Sequence, residues 1–323
     1  MMRIKDNTKD ILISMVVIMI IFWLWFIYGK WRENIFGTEK EYNFISPLLD
    51  CKEASVLQNS KNIDIEPSLN KLIENKLRNS GVNHVSIYFR DLNNGYRFGI
   101  NEKESFTPAS LTKVPTMIAV LKRSESENGF LEQSVKFSLP KFDYNVHYKP
   151  KLEIESNKVY TIRQLLDYMI KYSDNNSTQI LRNILWKDRF SNTYWDLWVI
   201  SNQSSEIQVL DYASFFRILF NASYLNKENS EYALNLLTQV DFRNWLVSGL
   251  PPSIKISHKF WEYSLNGNEK QIHDCWIVYY PDHPYLICVM TRGNNYDNLE
   301  KILSEVSRLV FENINEEYGI YKK

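Results

Sequence analysis

The sequence has no excess of positive or negative charge, and this balance argues against nucleic-acid binding. Lysine plus arginine and aspartate plus glutamate each number 38, so the formal net charge is zero. Without a basic excess to neutralise phosphates, we do not expect nucleic-acid binding to be the main role. The sequence also lacks internal repeats, and no pattern in it indicates a metal or an organic cofactor.

Cysteine is scarce as well. The three cysteines, Cys51, Cys275 and Cys288, are an odd number, and none belongs to a C-x-x-C pair. They indicate neither a disulfide framework nor a zinc site. Because Cys275 and Cys288 lie in apolar, strand-like runs, we expect both to be buried thiols. One disulfide would be compatible with a location outside the membrane, but the sequence does not assign its pairing.

What the sequence does have is one long uncharged run. Ile11–Tyr28 contains 18 residues without a charge, which is just enough to span a bilayer as a helix. Aromatic residues gather at its C-terminal end, as in an interfacial belt: Trp23, Trp25, Tyr28 and Trp31. A cleaved signal peptide is the alternative, but its apolar region would be shorter, and residues 29–32 make a poor cleavage site. We therefore expect an uncleaved signal anchor.

This anchor divides the chain into four predicted segments. Residues 1–10 are expected to form a cytoplasmic tail, residues 11–31 a transmembrane anchor, residues 32–66 a linker and residues 67–323 one folded domain. Within the linker, residues 44–51 are expected to dock as a short strand. Slightly more basic residues precede the run than follow it: Arg3, Lys5 and Lys9 against Lys30 and Arg32. This bias predicts a cytoplasmic N-terminus and a domain on the extracytoplasmic face.

Within the domain, strand patterns at both ends enclose a helical middle. Residues 84–91 and 96–101 read as two strands joined by an Asn-Gly turn, and three more strands follow from residue 254. Apolar residues between them recur at helical spacing, and residues 296–313 form a closing amphipathic helix. This order predicts an α+β fold in three layers. Its antiparallel sheet would be covered by helices and would carry an inserted helical subdomain.

Two motifs in the helical middle have the residue types for nucleophilic catalysis. Ser110 and Lys113 open an apolar helical run at a spacing that places both on one face. A lysine with a lowered pKa can take the proton of a neighbouring serine, and a helix N-terminus favours negative charge nearby. The second motif, Ser173-Asp174-Asn175, follows Ser110 by 63 residues and offers a hydroxyl and an amide from one tight turn.

Each motif alone has an ordinary explanation. The first would be a solvated pair, and the second would be the N-cap of the next helix. A third candidate, Lys259, lies on a predicted strand 86 residues after Ser173 and by itself would face solvent. In combination, the order and spacing resemble the S-x-x-K, S-D-N and K-T-G signature of class A β-lactamases and penicillin-binding proteins. The resemblance covers about residues 73–313, and it identifies the chain as a divergent member of this serine acyl-enzyme superfamily.

The resemblance implies a role for each catalytic residue. Ser110 would be the acylated nucleophile, and Lys113 would be its activating base or proton relay. Ser173 would pass a proton to the leaving nitrogen, and Lys259 would supply positive charge to Ser173 and to the substrate carboxylate. The implied fold is that of a β-lactamase or transpeptidase.

The resemblance also implies how a substrate binds. Asn175 would hold an amide side chain of the substrate, and the backbone N–H groups of Ser110 and Glu262 would form the oxyanion hole. The implied substrate is a β-lactam or a peptidoglycan peptide. Residues 11–31 would tether the enzyme to the membrane.

The sequence departs from the family pattern at the third motif, which reads Lys259-Phe260-Trp261. The family has a hydroxyl residue at the second position, which contacts the substrate carboxylate, and Phe260 cannot do so. The family glycine leaves room at the strand edge, which Trp261 would fill. We therefore expect substrates that carry a carboxylate to bind poorly, unless Tyr263 or Ser264 substitutes for the missing hydroxyl.

A second departure concerns hydrolysis of the acyl-enzyme. Class A β-lactamases use a glutamate after S-D-N, usually in Glu-x-x-Leu-Asn, and no such motif occurs between Leu185 and Asp211. The acids there are Asp188, Asp196 and Glu206, of which Asp196 lies nearest the expected place. Without a general base, deacylation should be slow. This favours a penicillin-binding or peptidase-like protein over an efficient β-lactamase.

Three functions remain open from the sequence. The first is a membrane-anchored serine hydrolase that resembles class A β-lactamases and acts on β-lactams or cell-wall peptides. The second is a D-alanyl-D-alanine peptidase, which differs from the first only in its substrate. The third is a catalytically degenerate protein that keeps the fold and binds a cell-wall peptide or glycan.

Overall fold

The structure is a computed structural model, and it describes residues 5–35, 42–50, 64–79, 81–138, 147–196, 206–245, 247–265 and 269–321. The chain divides into two units, Met1–Asn43 and Phe44–Lys323. The first consists chiefly of one helix, and the second contains the sheet and all the candidate site residues.

The first unit contains helix α1, Lys5–Ile35. Its segment Ile11–Tyr28 has a mean hydropathy of 2.7, and none of that segment is buried against the rest of the protein. At 1.5 Å per residue, this segment is about 27 Å long, close to the thickness of a bilayer's hydrocarbon core. The helix is therefore long and apolar enough to cross a membrane, a property that signal sequences share.

The second unit is built on a five-stranded antiparallel sheet with the order β2-β1-β9-β8-β7. The strands are β1 (Val82–Asp91), β2 (Arg97–Ile100), β7 (Ile256–Leu265), β8 (Glu269–Val278) and β9 (Tyr285–Gly293). Nearly every side chain of β9 is buried. Because strand side chains alternate between the two faces, both faces of the sheet are covered.

Helices provide this cover. Helices α2 (Glu66–Asn79) and α8 (Tyr296–Tyr318) pack on each other and on the sheet, and α6 (Val209–Phe220) also packs on it. Helix α8 has buried apolar residues at helical spacing, such as Leu299, Ile302 and Val306. The α+β class and the helix-covered antiparallel sheet are therefore as predicted.

The chain leaves the sheet after β2 and returns at β7, and the inserted part is mostly helical. Its helices are α3 (Lys113–Ser126), α4 (Ile162–Lys171), α5 (Asn175–Asp196), α6 and α7 (Lys227–Thr238). Helices α3, α4, α5 and α7 pack on one another as the predicted helical subdomain. Two short ladders join this part of the chain: β3 (Ser105–Phe106) with β6 (Ile207–Gln208), and β4 (Ser134–Lys136) with β5 (Val159–Thr161).

The expectation of two buried thiols was wrong in one respect. Cys275 and Cys288 are both buried, but they form a disulfide. The pairing of β8 with β9 places them directly opposite each other, with their Cα atoms 4.0 Å apart. The pairing of the two cysteines depends on how β8 and β9 align. Their separation of 13 residues in the sequence does not determine that alignment. Cys51 lies outside the described residues.

Part of the predicted linker, from Phe44 onward, belongs to the second unit and packs on its helices, although not as a strand. The backbone N–H groups of Phe44 and Ile45 donate to the carboxylate of Glu231, at 2.8 and 3.1 Å. The N–H of Ser46 donates to the carbonyl of Phe220. The segment then turns through a 3₁₀ helix, Pro47–Asp50, so side-chain and backbone acceptors of helices hold it instead of a sheet edge.

Candidate active site

Ser110 lies in a tight turn just before a helix. A 3₁₀ turn, Ala109–Thr112, leads directly into α3, whose first residue is Lys113. The residue before the serine, Ala109, has a φ of 25°, which is unusual for a residue other than glycine. Such backbone strain is typical of positions where the surrounding structure holds a side chain in a required place.

Lys113 is buried at the centre of the site. Its Nζ lies 2.8 Å from Ser110 Oγ and 2.9 Å from Ser173 Oγ. It also donates to the carbonyl oxygen of Ser173 at 2.6 Å and to Asn175 Oδ1 at 2.7 Å. Burial, together with the nearby charge of Lys259, holds the pKa of Lys113 well below its usual value. The predicted Ser110–Lys113 contact is therefore present, and the lysine has the surroundings of a neutral amine.

In the turn at residues 173–175, one side chain caps a helix and the other two contact Lys113. Asp174 is buried, and its carboxylate accepts from the N–H of Ser177 at 2.5 Å in the first turn of α5. Asp174 is thus the N-cap of α5, the ordinary explanation for this motif. The cap leaves the other two side chains free to meet Lys113. Ser173 has a φ of 58°, a second strained position in the site.

Lys259 reaches the same cluster from the sheet. It is fully buried on β7, and its Nζ donates to Ser173 Oγ at 3.0 Å. Burial lowers the pKa of Lys259 to about 7, and the charge of Asp274 on the neighbouring strand opposes this change. Asp274 is itself buried and lies 3.2 Å from His258 Nδ1. Ser173 therefore stands between two lysines, and a buried carboxylate lies behind one of them.

These side chains open into a cleft of about 560 Å³. One wall comes from the turns that carry Ser110 and Ser173, and the opposite wall is residues 260–264 of β7, the edge strand of the sheet. Residues 147–150 and Tyr296 complete the lining. Among the residues that the structure describes, no cluster of His, Cys, Asp or Glu suits a metal ion.

A family model described as the beta-lactamase enzyme family matches residues 66–314. The chain belongs to this family. The matched region includes the whole cluster around Ser110 and the strand that carries Lys259. No curated protein sequence matches the chain significantly.

Solved structures of the β-lactamase fold agree. The structure of PBP-A aligns with a TM-score of 0.66 at 17% identity, covering 78% of this chain and 96% of that one. A β-lactamase from Chitinophaga pinensis aligns with a TM-score of 0.66 at 21% identity, covering 78% and 99%. A β-lactamase from Xanthomonas campestris pv. campestris gives 0.66 at 16% identity, covering 78% and 100%. At such low identity, these likenesses show the fold alone.

In this β-lactamase-family chain, Phe260 belongs to an aromatic cluster. It stacks on Phe242 with ring centroids 4.2 Å apart and meets Trp245 edge-on at 5.6 Å. The Nζ of Lys259 lies 4.4 Å from the Phe260 ring centroid. An aromatic ring therefore occupies the place beside the lysine where the family pattern has a hydroxyl.

Trp261 is buried to 2% exposure and packs against His273 and Tyr263. Its indole is therefore mostly packed between neighbouring strands. It still lines one side of the cleft. The strand edge thus stays open enough to form a cleft wall, although a tryptophan stands at the usual glycine position.

Of the three acids between Leu185 and Asp211, the two whose side chains the structure describes are not part of the cleft lining. Asp196 accepts from the hydroxyl of Tyr224 at 2.8 Å, and the side chain of Asp188 lies outside the described residues. The sequence pattern predicts a helix that ends at Leu185 and irregular structure over residues 186–208, whereas helix α5 runs to Asp196. Neither Asp196 nor Glu206 lines the cleft.

One carboxylate does line the cleft, and it is Glu262 on β7. Sequence reasoning selected this residue only for its backbone N–H. The side chain accepts from the N–H of Tyr148 at 2.7 Å, and burial raises its pKa to about 7. No sequence motif marks Glu262, although an acidic residue directly after the lysine strand motif is a signal that could have drawn attention to it.

Proposed function

We propose that the protein is a serine acyl-transfer enzyme that forms a covalent acyl intermediate on Ser110. The observation that carries this proposal is the buried Lys113 amine, 2.8 Å from Ser110 Oγ, with a pKa well below its usual value. In the reaction, Ser110 Oγ attacks the carbonyl carbon of an amide, and the serine proton moves to Lys113.

The number of hydrogen bonds at Lys113 supports transfer of the Ser110 proton to the lysine amine. A neutral lysine amine has two N–H donors and one lone pair. The carbonyl oxygen of Ser173 and Asn175 Oδ1 can only accept, and both lie within 2.7 Å of Lys113 Nζ. They take both donors, so the lone pair remains for a hydroxyl proton. Ser110, at 2.8 Å, is positioned to supply it.

The second half of the step concerns the leaving nitrogen. As the tetrahedral intermediate collapses, the C–N bond breaks and the nitrogen needs a proton. Ser173 can deliver its own proton and be reprotonated by Lys113, since its Oγ lies 2.9 Å from Lys113 Nζ. Lys259, 3.0 Å from the same oxygen, would stabilise the transient negative charge on it. The backbone N–H groups of Ser110 and Glu262 are the proposed oxyanion hole, and Asn175 is the proposed substrate amide contact.

The substrate we propose is a β-lactam or a peptidoglycan peptide, and the acyl-enzyme should be long-lived. Neither Asp196 nor Glu206 lines the cleft, so no described acid between Leu185 and Asp211 is placed to act as the general base that the family glutamate supplies. A slowly hydrolysed adduct is the behaviour of a penicillin-binding protein. The D-alanyl-D-alanine peptidase reaction is its peptide counterpart, and release of terminal D-alanine from a model peptide would identify it.

We further propose that helix α1 is an uncleaved membrane anchor. In this arrangement, residues 1–10 are cytoplasmic, residues 11–31 span the membrane, residues 32–66 form a linker and residues 67–323 work on the extracytoplasmic face. The apolar segment Ile11–Tyr28 supports this, because its length and hydropathy suit a bilayer. A full-length product that stays in the membrane fraction after alkaline washing would be the expected result, whereas a shortened soluble product would show cleavage.

The deciding experiment is labelling of the full chain, in detergent, with a fluorescent penicillin. We expect a stable covalent adduct on the wild type, no adduct on Ser110→Ala, and a normal adduct on Ser126→Ala. Ser126 is a matched control because it is exposed at the far end of the same helix. Consumption of nitrocefin that depends on Ser110 would instead indicate a β-lactamase with an unrecognised base.

A specific observation favours a second candidate, a non-catalytic cell-wall binding protein. Phe260 occupies the position of the substrate-anchoring hydroxyl, and its ring lies against Lys259. Absence of any adduct, with nitrocefin untouched and a cell-wall peptide still bound, would support this candidate. Any covalent adduct on Ser110 would exclude it.

A further inference from the structure

The cleft has a serine flanked by two lysines on one side and a carboxylate on the other. Both lysines contact Ser173, with Lys113 Nζ 2.9 Å and Lys259 Nζ 3.0 Å from its Oγ. Glu262 instead contacts the far wall, where its Oε1 accepts from the N–H of Tyr148 at 2.7 Å. Ser110 and Glu262 line the same cleft. The serine pair and the carboxylate of Glu262 therefore line different parts of one substrate-sized space.

The two oxygens of the Glu262 carboxylate differ in hydrogen bonding, because Oε1 accepts from the N–H of Tyr148. Its Oε2 is buried and has no hydrogen-bond partner among the residues that the structure describes. Burial raises the pKa of Glu262 to about 7, and the nearby His147 only partly opposes this effect. A half-buried carboxylate with one unsatisfied oxygen attracts a cation more strongly than a solvated carboxylate does, because the local dielectric is low.

Aromatic side chains surround this carboxylate. Tyr148, Trp261, Tyr263 and Tyr296 all line the same cleft. The ring of Trp261 stacks on Tyr263 at 5.7 Å, and His147 stacks on Tyr296 at 4.5 Å. The faces of aromatic rings attract cations, and a carboxylate set among such rings is an environment that suits ammonium groups.

The direction of a bound substrate follows from the proposed chemistry. The leaving nitrogen must face Ser173 to receive its proton, and the carbonyl oxygen lies between the N–H groups of Ser110 and Glu262. The remaining substituent of the carbonyl carbon must then point away from Ser173. Residues 262–264 of β7 and Tyr148 line the cleft away from Ser173, and we place this substituent against them.

We propose that Glu262, with the aromatic side chains around it, selects acyl donors that carry a positive charge on the acyl side of the scissile amide. A peptide with a side-chain ammonium on its acyl portion is such a donor. This inference rests on the proposed acylation of Ser110 and adds the substrate class. Glu262 would be a specificity residue through its carboxylate, separately from the role of its backbone N–H.

Three penicillins of matched shape test this inference on the full chain in detergent. Their acyl side chains are 5-(trimethylammonio)pentanoyl, its neutral carbon isostere 6,6-dimethylheptanoyl, and adipoyl, which ends in a carboxylate. The quaternary ammonium keeps its charge at every pH and cannot attack the β-lactam. Acylation rates would be measured at pH 8, where Glu262 is ionised, by competition with a fluorescent penicillin. The readout is the ratio of rates within each variant, which cancels any general change in activity.

In the wild type, the cationic penicillin should acylate about 10-fold faster than its neutral isostere, and the adipoyl compound should be slowest. Glu262→Gln keeps the shape and the Tyr148 contact but removes the charge, so its cationic-to-neutral ratio should fall to about one. Glu300→Gln is the matched control, because Glu300 lies near His147 but does not line the cleft. Equal wild-type rates, an order that survives Glu262→Gln, or an equal loss in Glu300→Gln would each overturn the inference.

A second measurement separates this inference from the proposed function. Ser110→Ala cannot be acylated, so equilibrium binding of the same penicillins to it can be followed by tryptophan fluorescence. If the wild type forms no adduct but Ser110→Ala binds the cationic compound best, and Glu262→Gln removes that preference, only the acylation proposal fails. If binding also shows no dependence on charge, the inference about Glu262 fails.

Discussion

The two walls of the cleft differ in how closely they follow the family pattern. On the helical wall, Ser110, Lys113, Ser173 and Asn175 form one hydrogen-bonded cluster, with every contact between 2.6 and 2.9 Å. On the strand wall, only Lys259 matches the pattern, and the residues after it are aromatic or acidic. The helical wall would perform proton transfer and acylation, whereas the strand wall would hold the substrate. Under the proposed function, this difference would mean that the acylation machinery follows the family pattern while substrate binding departs from it.

The largest effect is expected from removing the base on the helical wall. Lys113→Met keeps an unbranched side chain of similar length but has no amine, so acylation of Ser110 should slow by about 1,000-fold. The second-order rate of labelling by a fluorescent penicillin would measure this loss. Circular dichroism and the melting temperature would show whether the variant is folded. A folded variant that is labelled at the wild-type rate would remove Lys113 from the mechanism.

Phe260→Thr restores the family hydroxyl on the strand wall. Because penicillins carry a carboxylate, their acylation rate should rise about 10-fold through one added hydrogen bond to a charged group. The same change removes the stack on Phe242 and should cost about 3 kcal/mol of unfolding free energy. Phe260→Val is a suitable control, because it loses the ring and gains no hydroxyl. If Phe260→Val and Phe260→Thr increase the acylation rate equally, the loss of the bulky ring and not the added hydroxyl would be the cause.

The pH dependence of the acylation rate reports on the pKa values of the two lysines, Lys113 and Lys259. Burial and the nearby charge of Lys259 hold the pKa of Lys113 well below its usual value, which is the direction that a base requires. Lys259 has a pKa of about 7, so its positive charge is present below that pH and is lost as the pH rises through it. Acylation should therefore decline above about pH 7. Lys259→Arg keeps the charge at high pH and should remove this alkaline decline, whereas a decline that persists would assign it to another group.

The smallest effect is expected from the buried pair behind Lys259. The charge of Asp274 supports the ammonium of Lys259, so Asp274→Asn should lower the pKa of Lys259 further. The alkaline limb of the acylation profile should move to lower pH by about one unit. Since Asp274 lies 3.2 Å from His258 Nδ1, the melting temperature of the variant should be measured in parallel. An unmoved limb in a folded protein would show that Asp274 does not tune Lys259.

Much of the fold could be predicted because its signals are local. The Asn-Gly turn and the alternation before it predicted the first hairpin, which the structure contains as β1 and β2. The helical spacing near the C-terminus predicted α8. The extension of α5 to Asp196 was missed, because residues 186–196 lack a clear apolar period and tertiary contacts can override weak local preference.

The contact between Ser110 and Lys113 could be predicted, because a helical spacing places the two residues on one face, whatever surrounds them. The different contacts made by the three residues of the second motif could not be predicted from the sequence. The structure shows Asp174 capping α5 while Ser173 and Asn175 turn to Lys113, so the ordinary and the functional explanations of one tripeptide are both present.

The sequence by itself determined the three motifs and their order, the apolar run and the bulky residues after Lys259, because these depend only on residue identity and spacing. Only the tertiary structure decided which distant groups meet. It joined Cys275 to Cys288, brought Lys259 to Ser173 and placed the carboxylate of Glu262 against Tyr148 in the cleft. These contacts depend on strand register and on burial. Both arise when the whole chain packs, and neither is encoded in a short stretch of residues.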